Sequence, residues 1–171
     1  MLFRSPGMAF GTGGHLSTQL ALGLLSEVIR GGEEIYDIGT GSGILAISAA
    51  KLGASAVTAV DIDPKALAVA RENVRWNRME ERIQVVKGDL LTGLAGVVDL
   101  VVANIIAEVI IEMAPQVACA LKPGGAFLSS GIIKEKAKWV RESLEAEGFF
   151  IEKEVTADDW TAFLARSKSH G

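Results

Sequence analysis

Apolar positions along this chain follow two rhythms that alternate from one end to the other. Leu20, Leu24, Leu25 and Val28 recur at helical spacing and predict a helix over 17–29, with Ser17 or Thr18 able to cap it and Gly31-Gly32 to end it. A short apolar strand over 34–38 follows, then a helix from about 43 to 52 stopped by Gly53. A second strand covers 56–61. Leu67, Ala70 and Val74 share one face of a helix over 64–76, which Asp63 caps and Pro64 opens. After a short strand at 83–87, the unbroken apolar run 97–103 has the character of a central parallel strand covered on both faces. A helix over 107–121 contains Pro115, which predicts a kink or a restart. Lys122-Pro123-Gly124-Gly125 marks a turn before a strand at 126–130 and a helix at 135–147. Two closing strands, 149–155 and 160–165, are separated only by the short polar stretch 156–159, which suits a hairpin.

This order predicts an α/β fold: a doubly wound, mostly parallel sheet of seven strands, helices on both sides, right-handed crossovers and an antiparallel edge strand. No internal repeat interrupts it.

The chemistry concentrates where the first strand meets the second helix. Asp37 stands two places before Gly39, and Gly39, Gly41 and Gly43 alternate with Thr40 and Ser42. Glycines at such spacing permit a sharp turn and a close ligand approach. The helix that follows presents free N–H groups and a positive dipole end. The dinucleotide fingerprint has the spacing G-x-G-x-x-G and places a pyrophosphate there. Here the spacing is G-x-G-x-G, and a carboxylate beside the turn would repel a pyrophosphate. It suits a ligand with a cationic end, such as S-adenosylmethionine with its ammonium and sulfonium. Asp61 ends the second strand about twenty residues past the turn, where a ribose-binding acid belongs. The alternative for Asp61 is a capping group, as Asp63 is read here.

Composition narrows the classes. The 171 residues fit one domain, and 49% apolar with 22% charged content is globular. No apolar run approaches the ~20 residues that span a bilayer, and 1–10 lacks a signal-peptide pattern. Cys119 is the only cysteine, so no disulfide framework or cysteine metal cluster is expected. It is read as a small buried residue. These features fit a cytoplasmic protein. A net charge of −4 argues against a sequence-independent nucleic-acid binder, although a local basic patch is compatible with it.

The glycine motif, Asp61, Asp89 and the Lys-Pro-Gly-Gly turn together resemble the class I S-adenosylmethionine-dependent methyltransferases, which have a Rossmann-like fold. Two further motifs, Pro6-Gly7-Met8-Ala9-Phe10-Gly11-Thr12-Gly13-Gly14-His15 and Val101-Val102-Ala103-Asn104-Ile105-Ile106-Ala107, resemble the PrmA family, as does Ser130-Gly131-Ile132. That family methylates amino groups, lysine side chains or the N-terminal amine, on a large-subunit ribosomal protein. The resemblance implies a cofactor set of Thr12, Gly13, Asp37, Gly39, Gly41, Gly43, Asp61, Asp89 and Asn104. It also implies a catalytic role for Asn104, no metal and no direct nucleic-acid contact. Residues 1–16 would form a loop over the cofactor, with Thr12 and Gly13 closing on it. Asp89 would accept from the adenine amino group, or serve only as a turn residue. The chain departs from the family at Gly14, where threonine is usual, and at Leu16, where proline is common. The family's separate N-terminal recognition domain is not within this sequence, which leaves two readings, a piece of a longer chain or a short relative with another acceptor; the alternative functions are a small-molecule methyltransferase on the same scaffold or a non-catalytic S-adenosylmethionine-binding module.

Overall fold

The computed structural model describes residues 15–168. Helix α1 (Leu16–Val28) leads to β1 (Glu34–Ile38), α2 (Ile44–Lys51), β2 (Ala56–Asp61), α3 (Pro64–Trp76) and β3 (Ile83–Lys87). Then come β4 (Val98–Asn104), α4 (Ala107–Ala120), β5 (Leu121–Ile133), a 3-10 turn at Lys134–Lys136, α5 (Ala137–Ala146), β6 (Phe149–Ala157) and β7 (Trp160–Ser167). The strands form one seven-stranded sheet in the order β3-β2-β1-β4-β5-β7-β6. β1 to β5 pair in parallel, and β7 runs antiparallel between β5 and β6. The expected hairpin is present, and its reversed strand stands one place in from the β6 edge.

Both faces of the sheet are covered, as the unbroken apolar run of β4 requires. Leu100 and Val102 join the layer that holds α1 and α2, while Val101 and Ala103 join the layer that holds α4 and α5. Fully burying one such Val or Leu side chain contributes ~1.5–3 kcal/mol, which pins the register of each strand. Asp63 caps α3 as expected, its Oδ1 accepting the Lys65 N–H at 2.9 Å.

Four local features differ from expectation. The cap of α1 is His15, whose Nδ1 accepts the Ser17 N–H at 3.2 Å, so Ser17 and Thr18 fall inside the first turn and are buried. The Lys-Pro-Gly-Gly segment belongs to β5 as an irregularity: the ladder steps from Leu121 opposite Val98 directly to Ala126 opposite Leu100. Helix α4 continues through Pro115, because Ile110, Met113, Ala114 and Val117 bury its inner face on both sides of that residue. Cys119, expected inside, is exposed on the outer face of the same helix. No helix among the described residues is long and apolar enough to cross a membrane.

Candidate active site

Strand order reverses between β1 and β4, and α/β sheets bind ligands in the crevice outside the carboxyl ends of strands at such a switch point. A cavity of about 500 Å3 opens there. Gly39, Asp61 and Asp89 line one side of it; Asn104, Gly131 and Trp160 line the other.

The first side is a set of main-chain turns held by carboxylates. The N–H groups of Gly39 and Thr40 both donate to the Val60 carbonyl, at 2.8 and 2.9 Å. Gly39 has φ 72°, and a Cβ there would come within 2.9 Å of Ile105 Cγ2. Position 39 therefore requires glycine on conformational and steric grounds. The Gly41 N–H donates to Asp61 Oδ2 at 2.9 Å, and the Asp63 N–H donates to Asp61 Oδ1 at 3.0 Å. Each carboxylate oxygen keeps a lone pair free, so Asp61 is fixed and can still accept two hydroxyl donors from the cavity.

Asp37 has a different place from the one its position in the motif implies. It is 2% exposed and does not line the cavity. Its Oδ2 accepts from Thr40 Oγ1 at 2.7 Å, and its carboxylate also accepts the backbone N–H of Ala46. Gly43, the N-cap of α2, supplies no side-chain cap. A carboxylate from β1 thus satisfies one of the orphan donors at the start of α2. Burial pushes the Asp37 carboxyl up to about 6, against the lowering effect of those two hydrogen bonds, with Asp61 adding a smaller upward push.

The second side is assembled from distant segments. Asn104 ends β4, and its Nδ2 donates to Thr18 Oγ1 in α1 at 3.1 Å. The Ile105 N–H donates to the Ser130 carbonyl at 3.0 Å, and Ser130 Oγ donates to the Ser17 carbonyl at 2.7 Å. Gly131 has φ 84°, and a Cβ there would lie 2.7 Å from the Ile105 carbonyl and 2.8 Å from Asn104 Oδ1. These contacts orient the carboxamide: Thr18 holds its nitrogen while its oxygen lies beside Gly131 at the cavity wall. His15 meets Trp160 edge to face, with ring centroids 4.9 Å apart, so the helix cap also backs the aromatic wall. His15 thus works as a cap and a packing residue.

A family profile described as "Ribosomal protein L11 methyltransferase (PrmA)" matches residues 2–168. This chain belongs to the ribosomal protein L11 methyltransferase family. The family's protein from Pelotomaculum thermopropionicum is 51% identical over 164 residues, which cover 96% of this chain and 53% of that protein. The protein of that name from Halalkalibacterium halodurans is 48% identical over 162 residues, covering 95% of this chain and 52% of that protein. The chain therefore spans about half the length of the curated relatives it matches. The crystal structure of ribosomal protein L11 methylase from Lactobacillus delbrueckii subsp. bulgaricus superposes with a TM-score of 0.87 at 35% identity, over 91% of this chain and 81% of that one.

Of the site residues read from the sequence, Gly39, Asp61, Asp89 and Asn104 meet around one cavity in this PrmA-family fold. Asp37, Gly41 and Gly43 stand behind it and shape the turn. Thr12 and Gly13 lie outside the described residues, as does Phe10; of the expected covering loop, only His15 and Leu16 are described, and they open α1. Thr18 and Trp160 join the site without a sequence signal for it, and Gly131 joins it from the Ser130-Gly131-Ile132 motif. Thr18 has the sequence signal of a helix cap, and Trp160 stands at the start of the predicted closing strand 160–165. The proximity of each to Asn104 or to the cavity depends on pairings across the whole fold.

Proposed function

We propose that this chain transfers a methyl group from S-adenosylmethionine to amino groups of a large-subunit ribosomal protein, acting in the cytoplasm. The observation that carries the reading is the shared cavity: a fixed carboxylate at Asp61 faces an oriented carboxamide at Asn104. The residues present fit the cofactor. A volume of about 500 Å3 lies within the ~300–1,000 Å3 range of ligand pockets. Asp61 would hold the ribose hydroxyls, Asp89 the adenine amino group, and Ile62, Leu90 and Ile106 an apolar slot for the base. The buried negative charge of Asp37 behind the turn favours a cationic end nearby. The Lactobacillus relative is itself a ribosomal protein L11 methylase.

When bound, the cofactor supplies an electrophilic methyl on a sulfonium, whose departure as a neutral thioether needs no oxyanion hole. The chain's own task is positioning and exclusion of water, worth up to ~7–11 kcal/mol in ideal geometry. A lysine amine with a pKa of ~10.4 is protonated at neutral pH, and the apolar walls around Ile105, Ile106 and Trp160 favour its neutral form. Asn104 Oδ1 would accept an N–H of that amine and aim its lone pair into the cavity. Thr18 keeps the carboxamide from turning its NH2 toward the amine instead.

A radiolabelled methyl-transfer assay on ribosomal protein, on small amines and without acceptor tests this reading. Label on the ribosomal protein supports it. Label on a small amine alone moves the chain to the small-molecule class. No transfer despite cofactor binding makes it a binding module.

A further inference from the structure

The cavity lies where the sheet parts. The β1–β4 ladder ends at Ile38 opposite Ala103, while the β4–β5 ladder runs one residue further, to Asn104 opposite Ser130. On the β5 side, main-chain pairing therefore fixes Asn104. On the β1 side, the pairing stops before Gly39, and Gly39 and Thr40 turn away to the Val60 carbonyl of β2. A contact outside the ladder has to set the gap between the glycine turn and the carboxamide.

Ile105 occupies that gap. Its N–H donates to the Ser130 carbonyl at 3.0 Å. A Cβ at Gly131 would lie 2.7 Å from the Ile105 carbonyl oxygen and 3.0 Å from its nitrogen, and a Cβ at Gly39 would lie 2.9 Å from Ile105 Cγ2. One residue thus leans its main chain on a glycine of β5 and its branched methyl on a glycine of the β1–α2 turn. It fills the space that side chains at 39 and 131 would need.

The ordinary reason for an apolar residue here does not account for the branch. Ile106 is the N-cap of α4, so Ile105 stands just before it, where an apolar side chain commonly packs against the fourth helical residue. That residue is Ile110, and Ile105 packs on the same buried layer. Such a staple accepts leucine as readily as isoleucine. The contact with Gly39 asks for a methyl on Cβ, which valine supplies and leucine lacks.

We propose that Ile105 is a positioning residue that sets the distance between the transferred methyl and the acceptor amine. The proposal rests on the amine-transfer reading above, in which the β1–β2 side holds the cofactor and Asn104 the amine. In that reaction the nitrogen lone pair forms the new N–C bond as the C–S bond breaks, the bonding pair leaves on the neutral thioether, and the ammonium product releases its proton to solvent. Nitrogen and methyl carbon must stand about 3–3.5 Å apart and in line, and a misplacement of about 1 Å lowers the rate on the order of a hundredfold. A β-branched side chain suits the task, because its χ1 is restricted and its methyl is held in place.

Binding and turnover test it together. Calorimetry uses S-adenosylhomocysteine and two analogues in which nitrogen replaces its sulfur and carries an aminoethyl or an aminopropyl arm. Wild type should distinguish the two arms by about tenfold or more, and Ile105→Leu should reduce that preference to about threefold or less. Ile105→Val should keep most of it, and S-adenosylhomocysteine should bind all three proteins within about threefold, since its own contacts are untouched. In methyl transfer to ribosomal protein, Ile105→Leu should lower kcat about ten- to a hundredfold at nearly constant KM, and Ile105→Val should recover most of the loss. Packing alone gives the reverse order, because leucine keeps the volume of isoleucine and valine loses a methylene. Equal kcat for the leucine and valine variants, a change confined to KM, or an arm preference that leucine leaves intact would overturn the role of Ile105. Binding of neither arm more tightly than S-adenosylhomocysteine by wild type would overturn the amine-transfer reading, and the proposal with it.

Discussion

The β1–β2 side of the cavity, proposed to hold the cofactor, and the α1–β4–β5 side, proposed to orient the acceptor, are built from different kinds of contact. On the β1–β2 side the bonds are local: Thr40 to Asp37 spans three residues, and Gly41 to Asp61 spans twenty. On the α1–β4–β5 side they are long: Asn104 to Thr18 spans 86 residues, and Ser130 to Ser17 spans 113. The first side can form as one βαβ unit closes. The second exists only when the N-terminal helix, the central strand and β5 are all in place. The difference predicts separable functions, with binding of the cofactor on one side and orientation of the acceptor on the other.

The strongest disruption of the acceptor side should come from Gly131→Ala. It combines a left-handed conformation with contacts below 3 Å to the Ile105 carbonyl and Asn104 Oδ1. The expected cost is ~3 kcal/mol in urea unfolding, the sum of strain and overpacking, together with loss of methyl transfer. Stability and transfer both at wild-type values would mean that the strand and turn have room to part.

On the proposed cofactor side, Asp61→Ala should weaken S-adenosylmethionine binding by about 1–3 kcal/mol, or roughly five- to 150-fold in calorimetric Kd, because the ribose hydroxyls and the Gly41 N–H both lose an acceptor. A Kd within twofold of wild type would place the ribose elsewhere.

The same division explains what could be read from sequence. The alternation of elements was legible because both-face burial leaves unbroken apolar runs such as 97–103 and period-3.6 faces such as Leu67–Ala70–Val74. Asp61 was legible because its distance from the glycine turn is set by one strand–helix–strand unit. Asp37 was legible as important, but its direction was not: only the fold shows that its carboxylate replaces a missing cap on α2. Thr18 and Trp160 were opaque, because nothing local to residue 18 or 160 encodes the position of Asn104. Gly131 stood within a recognised motif, but its role as the only residue that fits beside Asn104 is a matter of inter-strand geometry. The cap of α1 is His15 and neither Ser17 nor Thr18 for a related reason: Ser17 and Thr18 are drawn into the core by their contacts with β5 and β4.

Thr18→Val sharpens the comparison at a smaller scale. It keeps the volume and removes the acceptor for Asn104 Nδ2. Transfer should fall about tenfold, the worth of one buried hydrogen bond of ~1–1.5 kcal/mol, and Thr18→Ser should restore most of it. Equal rates for the valine and serine variants would remove Thr18 from the positioning of Asn104.

The smallest effect should be a pH dependence through Asp37. Its carboxyl, ordinarily at 3.8, stands at about 6 in the fold. The folded state thus retains a proton that the unfolded state releases. The stability Asp37 contributes is full below about 3.8 and is lost as pH rises through about 6. Asp37→Asn should therefore gain in melting temperature relative to wild type between pH 5 and pH 7. A cationic ligand prefers the ionised form, so cofactor affinity should rise about threefold over the same window in wild type and stay flat in the variant. Parallel pH profiles for the two proteins would contradict this account of Asp37.

The most direct measurement compares Asn104→Ala with wild type in two assays on one preparation: calorimetric binding of S-adenosylmethionine and radiolabelled methyl transfer to ribosomal protein. The account predicts a Kd within about twofold of wild type and transfer reduced about a hundredfold, the scale of a lost positioning contact. Undiminished transfer by Asn104→Ala, or a cofactor affinity that falls in step with the rate, would contradict the division of the cavity into a binding side and an orienting side.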